Sequence, residues 1–218
     1  MQHFQFLIED KSSEELIRIL MSRLLLNRND LSFDCKSFKG LGRLPKKKTV
    51  TGIKTGCMLQ DLEMYLTGFD KSLVSYGKNA VIIVVLDNDK RDPKSFKNEL
   101  VQIAMSHIHN VEFAICLAIE EVEAWLLGDY NALLQAYPNA RVSCWNSYVQ
   151  DSICNTWEHL ADVIYPGGYQ KMKKDCPTYK EIGTIKSEWA KSIGPYMDIA
   201  NNQSPSFNAF ISEISSRI

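Results

Sequence analysis

Neither sign of charge is in surplus: 25 lysines and arginines face 26 aspartates and glutamates in 218 residues. A protein that coats nucleic acid with its whole surface is strongly basic, so any contact with a polyanion here has to be local. No apolar run approaches the roughly 20 residues that span a bilayer. The N-terminal stretch MQHFQFLIEDKSSEE turns acidic after a few apolar residues and lacks the basic start of a signal peptide, so the expectation is a cytoplasmic chain with no membrane partner. Histidines are few (3, 107, 109 and 159), and the six cysteines at 35, 57, 116, 144, 154 and 176 form no C-x-x-C pair. That spacing argues against a zinc module and a disulfide scaffold, and the expectation is that the cysteines are small buried hydrophobes. Repeats and low-complexity segments are absent too. What is present, 45% hydrophobic and 23% charged residues, is the composition of a folded globular chain.

Apolar spacing predicts a strand at 3–8 and a helix from Glu14 to about Leu26, capped by Ser12, Ser13 or Asp10. A second strand is expected at 31–38 and a helix from about Thr55 to Leu66. The run Ala80–Leu86 is continuously apolar and mostly β-branched, as a strand covered on both faces should be. Pro93 opens a helix to His107, capped by Asp89 or Asp92, and Val111–Ala118 forms the next strand. This alternation predicts an α/β domain with a largely parallel sheet over residues 1–128. Helices at 120–136, 150–164, 180–190 and 207–216 then make a C-terminal extension, 129–218, packed on it. The clearest break is the turn Tyr165-Pro-Gly-Gly168, and the KMKK run at 171–174 reads as a mobile, solvated loop.

Ligands of open parallel sheets bind beyond the carboxyl ends of the strands. Three predicted strands end in acids: Glu9-Asp10, Asp87-Asn-Asp89 and Glu120-Glu121-Val-Glu123. Each acid alone could cap a helix. Together they would repel one another unless a cation compensates, and hard oxygen donors suit Mg²⁺ or Mn²⁺. On the segment 119–127, a helix would place Ile119, Val122 and Leu126 on a buried face and Glu120 beside Glu123. Glu121 and Glu123 are then either metal ligands or the acidic first turn of that helix. Trp125 reads as a core anchor.

A glutamate after the first strand, followed by an apolar strand ending in Asp-x-Asp, resembles the Toprim domain of topoisomerases, bacterial primases and the nucleases of the OLD family. The wider set is similar to a Toprim-like bacterial family found beside ABC-type ATPases in phage-defence loci. That set is Ile8-Glu-Asp-x-x-Ser13-Glu14, Lys39-Gly-Leu-Gly42, Leu86-Asp-Asn-Asp89, Glu121-x-Glu-Ala-Trp-Leu-Leu-x-Asp129 and Ser204-Pro-Ser-Phe207. The resemblance implies a Toprim-like Rossmannoid sheet in which Glu9 is a metal ligand or general base and Asp87 and Asp89 bind the metal. It also implies that Lys186, or Lys191 nearby, places a cation near the leaving group, and that a separate ABC/AAA-type ATPase subunit is the partner. Asp10 stands where many Toprim domains have glycine, and the modules needed for strand passage or primer synthesis are missing.

From Lys36 to Lys54 the chain carries seven basic residues and no acid, with Lys39, Arg43, Lys46, Lys47 and Lys48 the candidates for nucleic-acid contact. The Gly40-Leu-Gly42 turn inside this run could bring backbone N–H groups close to a phosphate. The expectation is therefore a Mg²⁺- or Mn²⁺-dependent nuclease acting on DNA or RNA within an anti-phage system. The alternatives are a non-catalytic subunit of an ATPase complex and a receiver-like phosphoacceptor domain.

Overall fold

Four strands form one parallel sheet: β1 (Gln2–Ile8), β2 (Leu31–Ser37), β3 (Ala80–Asp87) and β4 (Glu112–Ala118), in the order β2-β1-β3-β4. The computed structural model describes residues 1–44, 55–152 and 155–218. Every residue of β3 is buried, because both of its faces and both of its edges are covered. Alternate side chains feed two cores, as the two-residue period of a strand requires. Phe4, Phe6, Ile8, Val81, Ile83 and Val85 point to one face, and Leu7, Ile82, Val84 and Leu86 to the other.

The second of these cores is closed by α2 (Met58–Ser72) and α3 (Pro93–His107). The first is closed by α1 (Lys11–Leu24) and by the helices that follow β4. Those are α4 (Glu123–Leu127), α5 (Tyr130–Ala136), α6 (Val142–Asn146), α7 (Thr156–Ile164), α8 (Gly168–Asp175), α9 (Tyr179–Ile193) and α10 (Pro205–Ser215). The winding direction reverses between β1 and β3, so α1 and the α2/α3 pair lie on opposite faces, as right-handed crossovers demand. The fold class read from the sequence is thus the observed one: an α/β chain with an all-parallel sheet and a helical C-terminal part. One continuous core runs from Phe4 in β1 through Trp125 to Ile214 in α10, across residue 128. No helix among the described residues is long and apolar enough to cross a membrane.

Several boundaries depart from expectation, each for a local reason. Helix α1 starts at Lys11 because Asp10 caps it, its Oδ1 accepting the Ser13 N–H at 2.8 Å. Helix α2 starts at Met58, since the Asp61 carboxylate draws in the N–H groups of Thr55 (3.0 Å) and Gly56 (2.8 Å) and holds that segment non-helical. The expected helix 120–136 is two helices. At Gly128 an added Cβ would fall 2.0 Å from Asn202 Oδ1, and Asp129 restarts the helix by accepting the Ala132 N–H at 3.0 Å. The Lys171–Lys174 run is not a loop but part of α8, whose Met172 is buried in the core. Trp189 is buried, Trp145 donates from Nε1 to the Leu127 carbonyl at 2.8 Å, and Trp157 packs edge-on to Tyr169. Trp189 thus lies inside the core, while Trp145 and Trp157 are partly buried against it.

Candidate active site at the carboxyl rim of the sheet

In β1 and β3, Ile8 lies in register with Val85. One residue further the Glu9 N–H donates to the Val85 carbonyl (3.2 Å), and Glu9 Oε2 accepts the Asp87 N–H at 3.0 Å. Glu9 therefore leans across the gap where the winding reverses and rests on the end of β3. Asp87 is buried, with Oδ1 accepting the Val122 N–H at 3.0 Å, which ties β3 to the turn before α4. The Glu9 carbonyl in turn accepts the Gly40 N–H at 3.1 Å. Gly40 and Gly42 have φ of +93° and +69°, and a Cβ on Gly42 would meet Cys57 Cβ at 2.6 Å. The glycine turn thus clamps β1 to α2, and the Gly40 N–H is committed to Glu9 instead of being offered to a phosphate.

The remaining acids separate by role. Asp89 is exposed, with φ of +48°, and its Oδ2 is 2.5 Å from Arg91 Nη1. Glu120 does not stand beside Glu123. Its own φ of +56° turns it out of the rim, and its carboxylate accepts the N–H groups of Asn155 (3.0 Å) and Thr156 (2.9 Å), capping α7. Ile119 likewise precedes the helix, which begins only at Glu123. Glu123 is 1% exposed, and its Oε2 faces the Lys186 ammonium at 3.1 Å; Glu121 Oε2 faces the same ammonium at 3.7 Å. Lys186 reaches the rim from α9, which packs along α1. Lys191, the other cation considered, pairs with Glu15 at 3.6 Å, on a different flank.

Burial and crowding decide the protonation of this group. Glu9 is pushed up to about 7, chiefly by burial, against the opposing Asp87 N–H and with the help of Asp10 and Asp89. Glu121 is pushed up to about 8 by burial, with Lys186 opposing and Glu123 adding to the rise. Asp87 and Glu123 are raised as well, again by burial first. Burial by itself lowers the Lys186 ammonium, but Glu123, Glu121, Asp87 and Asp10 outweigh it and hold the lysine charged. More negative charge converges here than one ammonium neutralises, so a proton or a further cation has to make up the difference.

For a divalent ion the donor chemistry fits: Glu9 and Asp87 present carboxylate oxygens at the place where open parallel sheets bind ligands. Among the described residues, no group of three or more His, Cys, Asp or Glu side chains is arranged to hold a metal ion. The third sequence candidate, Asp89, is turned toward Arg91. A cavity of about 400 Å³ lies elsewhere, between α3, β4 and α10, and none of these rim carboxylates lines it.

The chain belongs to the DUF4276 family. That family, described as a domain of unknown function, matches residues 8–215. Among curated proteins and solved structures there is no significant match. The DUF4276 match begins at the end of β1 and runs through α10, so it takes in Glu9, Asp87 and Lys186 alike.

Of the basic candidates, Lys39 and Arg43 are exposed beyond β2, while Lys46, Lys47 and Lys48 lie outside the described residues. Sequence reasoning missed Asn88. Fully buried between two acids, it accepts the Glu120 N–H on Oδ1 (2.6 Å) and donates from Nδ2 to the Arg91 carbonyl (2.7 Å). It locks the ends of β3 and β4 together. The only signal was its place inside Asp-Asn-Asp. Arg91 pairs with Asp89 and sets its direction, and its guanidinium lies 4.8 Å from the Phe96 ring centroid.

Proposed function

We propose that this DUF4276 chain is a nuclease that hydrolyses phosphodiester bonds of DNA or RNA with Mg²⁺ or Mn²⁺ held by Glu9, Asp87 and Asp89. The observation that carries the reading is the contact of Glu9 with the end of β3 at the reversal of winding, among buried carboxylates that one lysine does not neutralise. The Toprim resemblance on the same residues supports it. When bound, the ion lowers the pKa of a coordinated water and offsets charge on the phosphoryl group. The chain's own residues do the rest. The Val122 N–H fixes Asp87 Oδ1, and the Asp87 N–H fixes Glu9 Oε2, leaving Glu9 Oε1 for the ion or for a proton. With its pKa near 7, Glu9 is matched to proton transfer at neutral pH. Asp89 would hold the ion together with Glu9 and Asp87 if its carboxylate were released from Arg91. Lys39, Arg43 and the Lys46–Lys48 run hold the nucleic-acid backbone through its phosphates. The resemblance adds an ABC/AAA-type ATPase subunit as partner, within an anti-phage system.

The test is cleavage of a mixture of single-stranded DNA, duplex DNA and RNA with Mg²⁺ or Mn²⁺, alongside Asp87→Asn and Asp89→Asn. Cleavage should require the metal and disappear in both variants while their circular dichroism is unchanged. Cleavage at the wild-type rate in either variant refutes the assignment. A second reading, a non-catalytic subunit of an ATPase complex, draws on the Asp89–Arg91 pair, which takes one carboxylate out of the site. It is favoured if the wild-type chain neither binds Mn²⁺ nor cleaves.

A further inference from the structure

We infer that Lys186 is a built-in second cation, so that the rim takes one divalent ion and Glu121 and Glu123 are not metal ligands. The inference rests on the metal-dependent reading above and concerns how many ions that site accepts.

Helix α9 starts at a capping box, Thr178 with Glu181, and runs along α1, which fixes how far Lys186 reaches into the rim. Its side chain is 13% exposed. Oε2 of Glu121 and of Glu123 are both buried and make no hydrogen bond among the described residues, so the ammonium at 3.7 Å and 3.1 Å is what balances them. A magnesium ion bonds oxygen at about 2.0–2.1 Å. An ion bonded to either oxygen would therefore lie a few ångströms from the ammonium, in a place with little water to screen the repulsion. Glu121 and Glu123 can take a metal only if Lys186 leaves them. Glu9 and Asp87 feel the lysine's charge, but among the described residues neither forms an ion pair with it, and their hydrogen bonds run to the backbone N–H groups of Asp87 and Val122. The divalent ion belongs with them, and the third acidic strand end is already filled by a charge the protein carries itself.

Calorimetric titration of the full chain with Mn²⁺, with electron paramagnetic resonance of the bound ion, reads this directly. The wild type should bind one Mn²⁺ per chain with the spectrum of an isolated ion. Lys186→Ala should bind two, with the broadening of a neighbouring pair, and Lys186→Arg should stay at one. Two ions in the wild type, or one in Lys186→Ala, overturns the inference while leaving the metal-dependent reading intact. No Mn²⁺ in the wild type overturns that reading and the inference with it. If Lys186→Ala does not fold, Glu121→Gln decides: a change in Mn²⁺ affinity under 3-fold supports the inference, and a larger loss overturns it.

Discussion

Replacing Glu9 by glutamine should make the metal-free protein more stable at pH 8 and nearly unchanged in stability at pH 5. The carboxyl is pushed up from 4.5 to about 7 in the folded chain, mainly by burial. Between those values the native state keeps a proton that the unfolded state has lost, so stability falls as pH rises through this window and is level above it. At about 1.4 kcal/mol per pH unit the full cost is about 3 kcal/mol at pH 8. Glutamine cannot ionise, yet its Oε1 still accepts the Asp87 N–H. Exchanging a charged acceptor for a neutral one gives back about 1 kcal/mol. The net gain is about 2 kcal/mol, or about 4–8 °C in Tm for a chain of this length. At pH 5 the gain shrinks below about 1 kcal/mol. Thermal unfolding followed by circular dichroism in EDTA, from pH 5 to 8, measures it. Adding Mn²⁺ should then raise the Tm of the wild type and not of Glu9→Gln, because the same carboxylate that destabilises the metal-free state holds the ion. Melting curves that stay parallel at every pH, or a variant less stable than wild type at pH 8, would refute the reasoning.

Asn88→Ala should cost about 2–4 kcal/mol in urea unfolding, because it strands the buried Glu120 N–H and the partly buried Arg91 carbonyl; a loss below about 1 kcal/mol would show that water replaces both bonds. Changing Lys46, Lys47 and Lys48 to alanine should weaken nucleic-acid binding across sequences and lower the salt slope by about 2–3, at roughly 0.7–0.9 per phosphate contact. An unchanged slope returns that run to solvent. Gly42→Ala should destabilise by about 1–3 kcal/mol, since φ is +69° and the new methyl meets Cys57 Cβ at 2.6 Å; a variant as stable as wild type would mean that the β1–α2 clamp yields easily.

Where neighbours in sequence are neighbours in space, the chain was legible. The unbroken β-branched run of Ala80–Leu86 can only be a strand covered on both faces, and Asp92-Pro93 marks the start of α3, where Asp92 Oδ1 accepts the Ser95 N–H at 2.9 Å. Strand and helix in alternation already implied the parallel sheet, and a parallel sheet brings the carboxyl ends of its strands to one rim. Glu9 and Asp87 therefore met as the pattern required, although 78 positions separate them.

Tertiary packing alone decided which acids face the rim and what neutralises them. Glu120 and Glu123 are three residues apart and look alike in sequence. A left-handed turn, held by the Glu120 N–H donating to Asn88 Oδ1, sends Glu120 to cap α7 and leaves Glu123 buried against Lys186. The break at Gly128 is invisible locally because segment 202–203, from the far end of the chain, takes up the carbonyls there: Asn202 Nδ2 donates to the Trp125 carbonyl and the Gln203 N–H to that of Gly128. Lys186 resembles any lysine on an amphipathic helix until α9 packs on α1 and turns it toward the acids. Local pattern reports which face of an element is apolar, whereas the pairing of charges depends on the angle and depth at which distant elements pack, and no local spacing encodes those.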